Sequence, residues 1–169
     1  MKRLWSPWRS KYIESFSKKN RSKACIFCGV KGKNNDLKRL IVWRGNSCFI
    51  VMNLFPYNSG HLMIVPYRHR ATFQNLDDRE CLELMNGTKV AIKLLQKVFH
   101  PEGFNVGANL GRVSGAGVEG HVHLHVVPRW RGDTNFLPVL GDTKLISQDI
   151  RSTYQKLKAA VKQMGSHNK

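Results

Sequence analysis

Long apolar runs are missing from this 169-residue chain, and no segment approaches the ~20 apolar residues that a membrane-spanning helix needs. Acidic side chains are scarce, 11 against 28 Lys and Arg, for a net charge of +17. Cysteine is sparse too: only Cys25, Cys28, Cys48 and Cys81 occur. The charged start Met1-Lys2-Arg3 is followed by no apolar stretch of secretory length, so disulfides are not expected and a cytoplasmic location is. Internal repeats and low-complexity tracts are absent, which excludes solenoid and fibrous architectures. What is present, 41% hydrophobic and 23% charged residues, is the composition of a soluble globular protein and not of a disordered one. The length suits a single domain over 1–169, divided into a basic N-terminal arm (1–38), a core (39–145) and a C-terminal helix with a basic tail (146–169).

The positive charge is concentrated at the ends. Residues 1–40 hold 12 basic and 2 acidic side chains, residues 151–169 hold 5 and none, and the stretch between is nearly balanced. Such a fringe either attracts polyanions non-specifically or simply keeps a neutral body in solution.

β-branched and aromatic residues from Leu40 to Asn53, interrupted by Arg44-Gly45-Asn46, predict a hairpin of two strands. The turn-rich loop Leu54 to Gly60 precedes a third strand, His61 to Val65, stopped by Pro66. Asp77 with Glu80 three residues later has the form of a capping box, and Cys81, Leu84, Thr88, Ile92, Leu95 and Phe99 recur at helical spacing before Pro101. Gly87 is the one weak point in this long helix. Phe104 to Leu110 and His121 to Val127 read as two further strands joined by the glycine-rich loop Gly111 to Gly120. A second helix over about 147–164 carries Ile150, Tyr154, Leu157 and Val161 on one stripe and stops at Gly165. The sum is an α+β fold with a mainly antiparallel five-stranded sheet, one long helix and a C-terminal helix.

Two groups of residues carry chemistry. Cys25-Ile26-Phe27-Cys28 sets two thiols at a spacing that suits a tetrahedral metal ion or a redox pair, whereas Cys48 and Cys81 sit among apolar residues and read as core. In His121-Val122-His123-Leu124-His125-Val126-Val127, strand alternation would send three imidazoles to one face and the apolar residues to the other. Imidazoles pack poorly in a core, because each brings two nitrogens that need partners. The alternatives to a catalytic groove are a surface strand or an adventitious metal site, and the loop Gly111 to Gly117 offers backbone N–H groups to an anion.

This stretch matches His-φ-His-φ-His-φ-φ (φ apolar), and with Cys25 to Cys28, Asn53 to His61, Pro66 to His69 and Phe104 to Trp130 the chain closely resembles the histidine triad (HIT) superfamily of nucleotidyl hydrolases and transferases. Leu4 to Arg9 and Pro128 to Phe136 look like the bacterial and archaeal branch related to diadenosine tetraphosphate phosphorylase. The resemblance implies a HIT-like fold in which His123 is the nucleophile toward the α-phosphorus of a nucleotide, with His125 at the same phosphate and His61 against the catalytic row. It implies ribose contacts from Asn53 and phosphate contacts near Asn109, while Ile26, Phe27 and Phe49 are, by their apolar character, the residues expected to line an adenine slot. By the same resemblance Cys25, Cys28, His69 and His121 are the ligands of a structural zinc ion.

One departure affects the leaving-group side. Many superfamily members carry Ser, Thr or Gln three or four residues before the first triad histidine, where this chain has Val118 and Gly117. Ser114 and the N–H groups of Gly115 to Gly117 are the expected substitutes, and a glycine loop able to admit free phosphate suits a phosphorylase. The expected function is cleavage of dinucleoside polyphosphates or nucleotide conjugates through a covalent nucleotidyl-histidine, resolved by phosphate or water, in a homodimer. The alternatives are an aprataxin-like deadenylase of nucleic-acid ends, favoured by the positive charge, and a nucleotide- or RNA-binding module without turnover.

Overall fold

In a computed structural model of the chain, residues 25–30, 35–134 and 145–165 are described. The basic start of the arm and Leu4 to Arg9 lie outside them, as does Phe136. Five strands form one antiparallel sheet: β1 (Ile41–Arg44), β2 (Cys48–Met52), β3 (Leu62–Pro66), β4 (Gly103–Gly107) and β5 (Leu124–Arg129), in the order β1-β2-β3-β5-β4. A single helical turn α1 (Asp36–Arg39) leads into β1, α2 (Asp78–Phe99) joins β3 to β4, and α3 (Ile150–Gly165) follows the sheet. This is the α+β architecture expected, and no helix among the described residues is long and apolar enough to cross a membrane.

Alternation along the central strands builds two cores. Cys48, Ile50 and Met52 of β2, Leu62 and Ile64 of β3 and Val126 of β5 face α2 and α3, where Leu84, Leu94, Leu95, Tyr154 and Leu157 meet them. Phe49, Val51, Met63 and Val65 point the other way and are covered by Phe27 and Val30 of the cysteine loop. His125 pairs with Met63 across the β3–β5 ladder and therefore shares this second face. The histidines thus sit on the side of the sheet away from the helices.

The capping box of α2 is formed in both directions, Asp77 accepting from the Glu80 N–H at 2.9 Å and Glu80 from the Asp77 N–H at 3.1 Å. Glu80 also receives two hydrogen bonds from Arg68, which hold its carboxyl below the usual carboxylate range and fasten the start of the helix to the end of β3. Gly87 is where the helix touches the sheet, since a Cβ there would come within 2.9 Å of Ile64 Cγ2. α2 ends at Phe99, and His100 takes the left-handed conformation ahead of Pro101. Cys48 is buried in the core as expected, whereas Cys81 is only half-buried on the first turn of α2.

Two strand boundaries correct the sequence reading. β4 runs Gly103–Gly107, not 104–110, and β5 begins at Leu124, not His121. Both ladders on β5 stop there, at Ile64↔Leu124 on one side and Gly107↔His125 on the other. Upstream, the Val122 N–H is taken by the Arg70 carbonyl at 2.6 Å, a bond to the segment after β3 in place of one that would continue the sheet.

Candidate active site and metal centre

Four histidines converge on the second face. His61, His121, His123 and His125 are 1%, 0%, 5% and 8% exposed, and each brings two ring nitrogens into a place where an unmatched polar atom is costly. Their partners fix the tautomers, because a carbonyl can only accept and a backbone N–H can only donate. His121 donates from Nε2 to the Pro66 carbonyl at 2.9 Å, and His123 donates from Nδ1 to the His121 carbonyl at 2.8 Å. Nδ1 of His121 and Nε2 of His123 are therefore left as lone pairs.

A second chain of bonds starts from the loop before β3. The Tyr57 N–H donates to Nδ1 of His61 at 3.1 Å, so His61 carries its proton on Nε2 and passes it toward Nδ1 of His125 at 2.9 Å. His125 is then protonated on Nε2, which is buried and has no hydrogen-bond partner among the described residues. The rings of His123 and His125 lie edge to face with centroids 4.8 Å apart. A lone pair on His123 and an unspent N–H on His125 stand side by side.

Burial keeps all four rings neutral near pH 7. Desolvation, then repulsion from His125 and His123, pushes His61 down to about 3. Desolvation and then His123 take His125 down to about 4. His121 and His123 are lowered by burial as well, with the carbonyl acceptors on their N–H groups opposing part of the shift. Above about 6.5 the histidines are neutral both folded and unfolded; below it the unfolded chain takes up protons that folded His61 and His125 refuse, so stability falls as pH drops toward 4. Each can contribute a slope of up to about 1.4 kcal/mol per pH unit. Thermal denaturation at about pH 7 and about pH 5 should show a lower Tm in acid, with a smaller difference in His61→Gln; an unchanged difference in that variant refutes the assignment.

Cys25, Cys28, His69 and His121 form a second constellation, their ligand atoms all within 4.8 Å of one another. Cys25 Sγ lies 3.3 Å from His121 Nδ1, Cys28 Sγ 3.3 Å from His69 Nδ1 and 3.8 Å from His121 Nδ1. A tetrahedral zinc with thiolate and imidazole ligands has edges of about 3.3–3.8 Å, so this donor set fits the ion. The Pro66 carbonyl supplies the outer hydrogen bond that turns the His121 lone pair inward. Burial and then the neighbouring Cys25 raise the Cys28 thiol above its ordinary value, a crowding that a divalent cation would relieve. Phe27, between the two cysteines, packs edge-on against His121 at 5.5 Å and tilted against His123 at 5.1 Å.

The remaining expected residues are distributed around these centres. Asn53 accepts from the Phe55 N–H at 2.9 Å and sets its amide nitrogen 3.3 Å from His61 Nδ1. Asn109 reaches Tyr57 Oη and the Gly115 carbonyl, each at 3.5 Å. Ser114 ends a single 3-10 turn, its hydroxyl 2.7 Å from the Gly111 carbonyl, and Gly115 follows at φ +89°, a left-handed position that favours glycine. Gly117 lies exposed in the same loop. Phe49 is 1% exposed and packs on Tyr67 inside the second core, so its ring is enclosed; Phe27 is buried beside the histidines and Ile26 is exposed. A small cavity of about 20 Å³ lies behind Asn53 and His61, and a cleft of about 280 Å³ by Ser47, Tyr67 and Arg68 shares no residue with the histidine cluster.

Sequence reasoning missed Tyr57, whose ring covers His61 and His125, and the carbonyls of Pro66 and His121. The Tyr57 signal was an aromatic inside a turn-rich loop, which turn chemistry alone does not explain. The carbonyls carry no residue-type signal at all.

Residues 34–132 match the model of the HIT domain. The AP-4-A phosphorylase of Mycobacterium tuberculosis is 42% identical over 162 residues, which cover 93% of this chain and 83% of that protein. An adenosine 5'-monophosphoramidase of Schizosaccharomyces pombe is 30% identical over 107 residues, covering 63% of this chain and 74% of the relative. Among solved structures, a zinc-bound histidine triad family protein from Mycobacterium smegmatis superposes with a TM-score of 0.63 at 22% identity, over 76% of this chain and 88% of that one.

Proposed function

Because the chain belongs to the HIT domain family, we propose that it is an enzyme of nucleotide cleavage that acts on dinucleoside polyphosphates such as diadenosine tetraphosphate. The observation that carries this reading is the pair of tautomers: a lone pair at His123 Nε2 beside an N–H at His125 Nε2 that has no partner among the described residues. In the first step His123 Nε2 forms a bond to the α-phosphorus while the bond from that phosphorus to the bridging oxygen breaks, and the leaving polyphosphate departs with the electron pair. The positive charge that develops on the imidazole is met by the His121 carbonyl at Nδ1–H. His125 donates from Nε2 to a non-bridging phosphoryl oxygen, a bond that strengthens as charge gathers there. In the second step an oxygen of inorganic phosphate, or of water, bonds to the same phosphorus and His123 leaves.

Asn53 and Asn109 flank this centre from the two loops and serve the ribose and phosphate ends of the nucleotide, with the stretch from Ser114 to Gly117 on the phosphate side and Phe27 toward the base; the Phe49 ring is enclosed in the second core and the Gly115 N–H is taken by the Arg112 carbonyl. Cys25, Cys28, His69 and His121 would hold zinc, whose four protein ligands leave no position for substrate, so its contribution is structural. Free thiols at this site suit the reducing cytoplasm. The homodimer reading has in its favour that β4 is an edge strand of the sheet on which Asn105 and Val106 are exposed.

Incubation with diadenosine tetraphosphate, with and without inorganic phosphate, tests the reading by chromatography. ATP and ADP only when phosphate is present identify a phosphorylase; ATP and AMP identify a hydrolase. Absence of any product under both conditions rejects the reading. A deadenylase or a polyanion-binding role has the net charge of +17 in its favour, and would show as salt-sensitive affinity for nucleic acid.

A further inference from the structure

Tyr57 lies in the turn-rich loop between β2 and β3, where Pro56, Asn58, Ser59 and Gly60 supply the turn chemistry and an aromatic ring is not required. It is 52% exposed, yet its ring is held against the histidine pair: the centroid is 4.6 Å from that of His61, and 5.6 Å from that of His125 at an interplanar angle of 26°, a stacked arrangement. Its hydroxyl meets Asn109 Nδ2 at 3.5 Å, and Asn109 in turn meets the Gly115 carbonyl. One residue therefore spans from the loop of Asn53 and His61 to the glycine-rich loop.

We infer that Tyr57 is a positioning residue of the reaction, its ring locking His125 in the orientation and tautomer that directs Nε2–H at the substrate and its hydroxyl tying Asn109 to the histidine side of the site. The inference rests on the proposed reaction for its kinetic consequences only. A buried imidazole whose Nε2–H has no hydrogen-bond partner among the described residues can turn about its χ2 angle, and a flip would put Cε1 where Nε2 stands and carry Nδ1 away from His61. The bond to His61 opposes that flip at one nitrogen. The stacked Tyr57 ring opposes it over the whole face and keeps water from the pair, which would otherwise hydrate either nitrogen.

The experiment compares wild type, Tyr57→Phe and Tyr57→Leu in the full chain. Long-range proton–nitrogen spectra of the imidazoles near pH 7 should show His125 as a single Nε2–H tautomer in wild type and in the Phe variant, and as an averaged mixture in the Leu variant. Persistence of one Nε2–H tautomer in Tyr57→Leu overturns the inference, whatever the rates do. In the cleavage assay kcat should fall about tenfold in Tyr57→Leu and stay within about twofold of wild type in Tyr57→Phe, which instead raises KM through the released Asn109. Equal losses of kcat in both variants also overturn it, since the hydroxyl and not the ring would then be decisive. If wild type cleaves nothing, the proposed reaction fails and the spectra alone decide the role of Tyr57.

Discussion

Replacing His123 by alanine is expected to lower cleavage of diadenosine tetraphosphate by at least ~10³-fold while leaving the fold in place. The loss corresponds to about 4 kcal/mol or more of transition-state stabilisation. It arises because the lone pair of His121 faces Cys25, whereas that of His123 is directed away from its structural bond and has no hydrogen-bond partner among the described residues: Nδ1 is committed to the His121 carbonyl and Nε2 is left over. His125 cannot substitute, since its Nδ1 accepts from His61 and its Nε2 carries the proton. The variant removes a side chain that is 5% exposed but sits at the edge of the second core, so its Tm should change far less than its rate. Single-turnover kinetics with radiolabelled nucleotide provide the check: wild type should accumulate label on the protein and the alanine variant none. Normal turnover in that variant would falsify the nucleophile assignment.

Cys28→Ser is expected to produce the largest effect on stability. The hydroxyl that replaces the thiol is a poor ligand for zinc, so protein purified without chelator should fall from about one bound ion per chain to less than ~0.1. Loss of a structural ion that ties the cysteine loop to the segments after β3 and before β5 should remove at least about 3 kcal/mol, or a Tm decrease of roughly 6–12 °C for a chain of this size. The rate should drop as well, though Cys28 touches no substrate, because Phe27 rests on the His123 ring and the His121 carbonyl holds its proton. Cys81→Ser, outside the quartet, is the matched control and should leave metal content and rate unchanged. Equal metal content in wild type and Cys28→Ser would remove Cys28 from the ligand set.

Much of the frame was legible because its signals are side-chain signals. β2 and β3 are apolar runs that face two cores at once, and the α2 capping box names its own partners, Asp77 and Glu80. The start of β5 was not legible, because what ends the sheet is a main-chain bond from Val122 to Arg70, and any residue offers the same carbonyl. In the site, histidines and cysteines announce their chemistry by type, which is why the quartet of Cys25, Cys28, His69 and His121 and the pair of His123 and His125 came together where expected. The tautomers depended on the carbonyls of Pro66 and His121 and on the amide of Tyr57, three backbone groups that carry no mark in the sequence. Phe49 shows the converse: an aromatic expected to greet a base is enclosed by Tyr67 because its strand position faces inward.

The antiparallel pairing of β5 has an implication for how this chain tolerates insertions. Leu124 and Val126 lie opposite Ile64 and Leu62, while His125 lies opposite Met63. Dropping or adding a single residue inside the strand, between Leu124 and Val126, would put the chain out of phase, exchanging the face of His125 with that of its apolar neighbours. Changes in length within this strand must therefore come in even steps, a constraint that does not extend to the loop before Leu124.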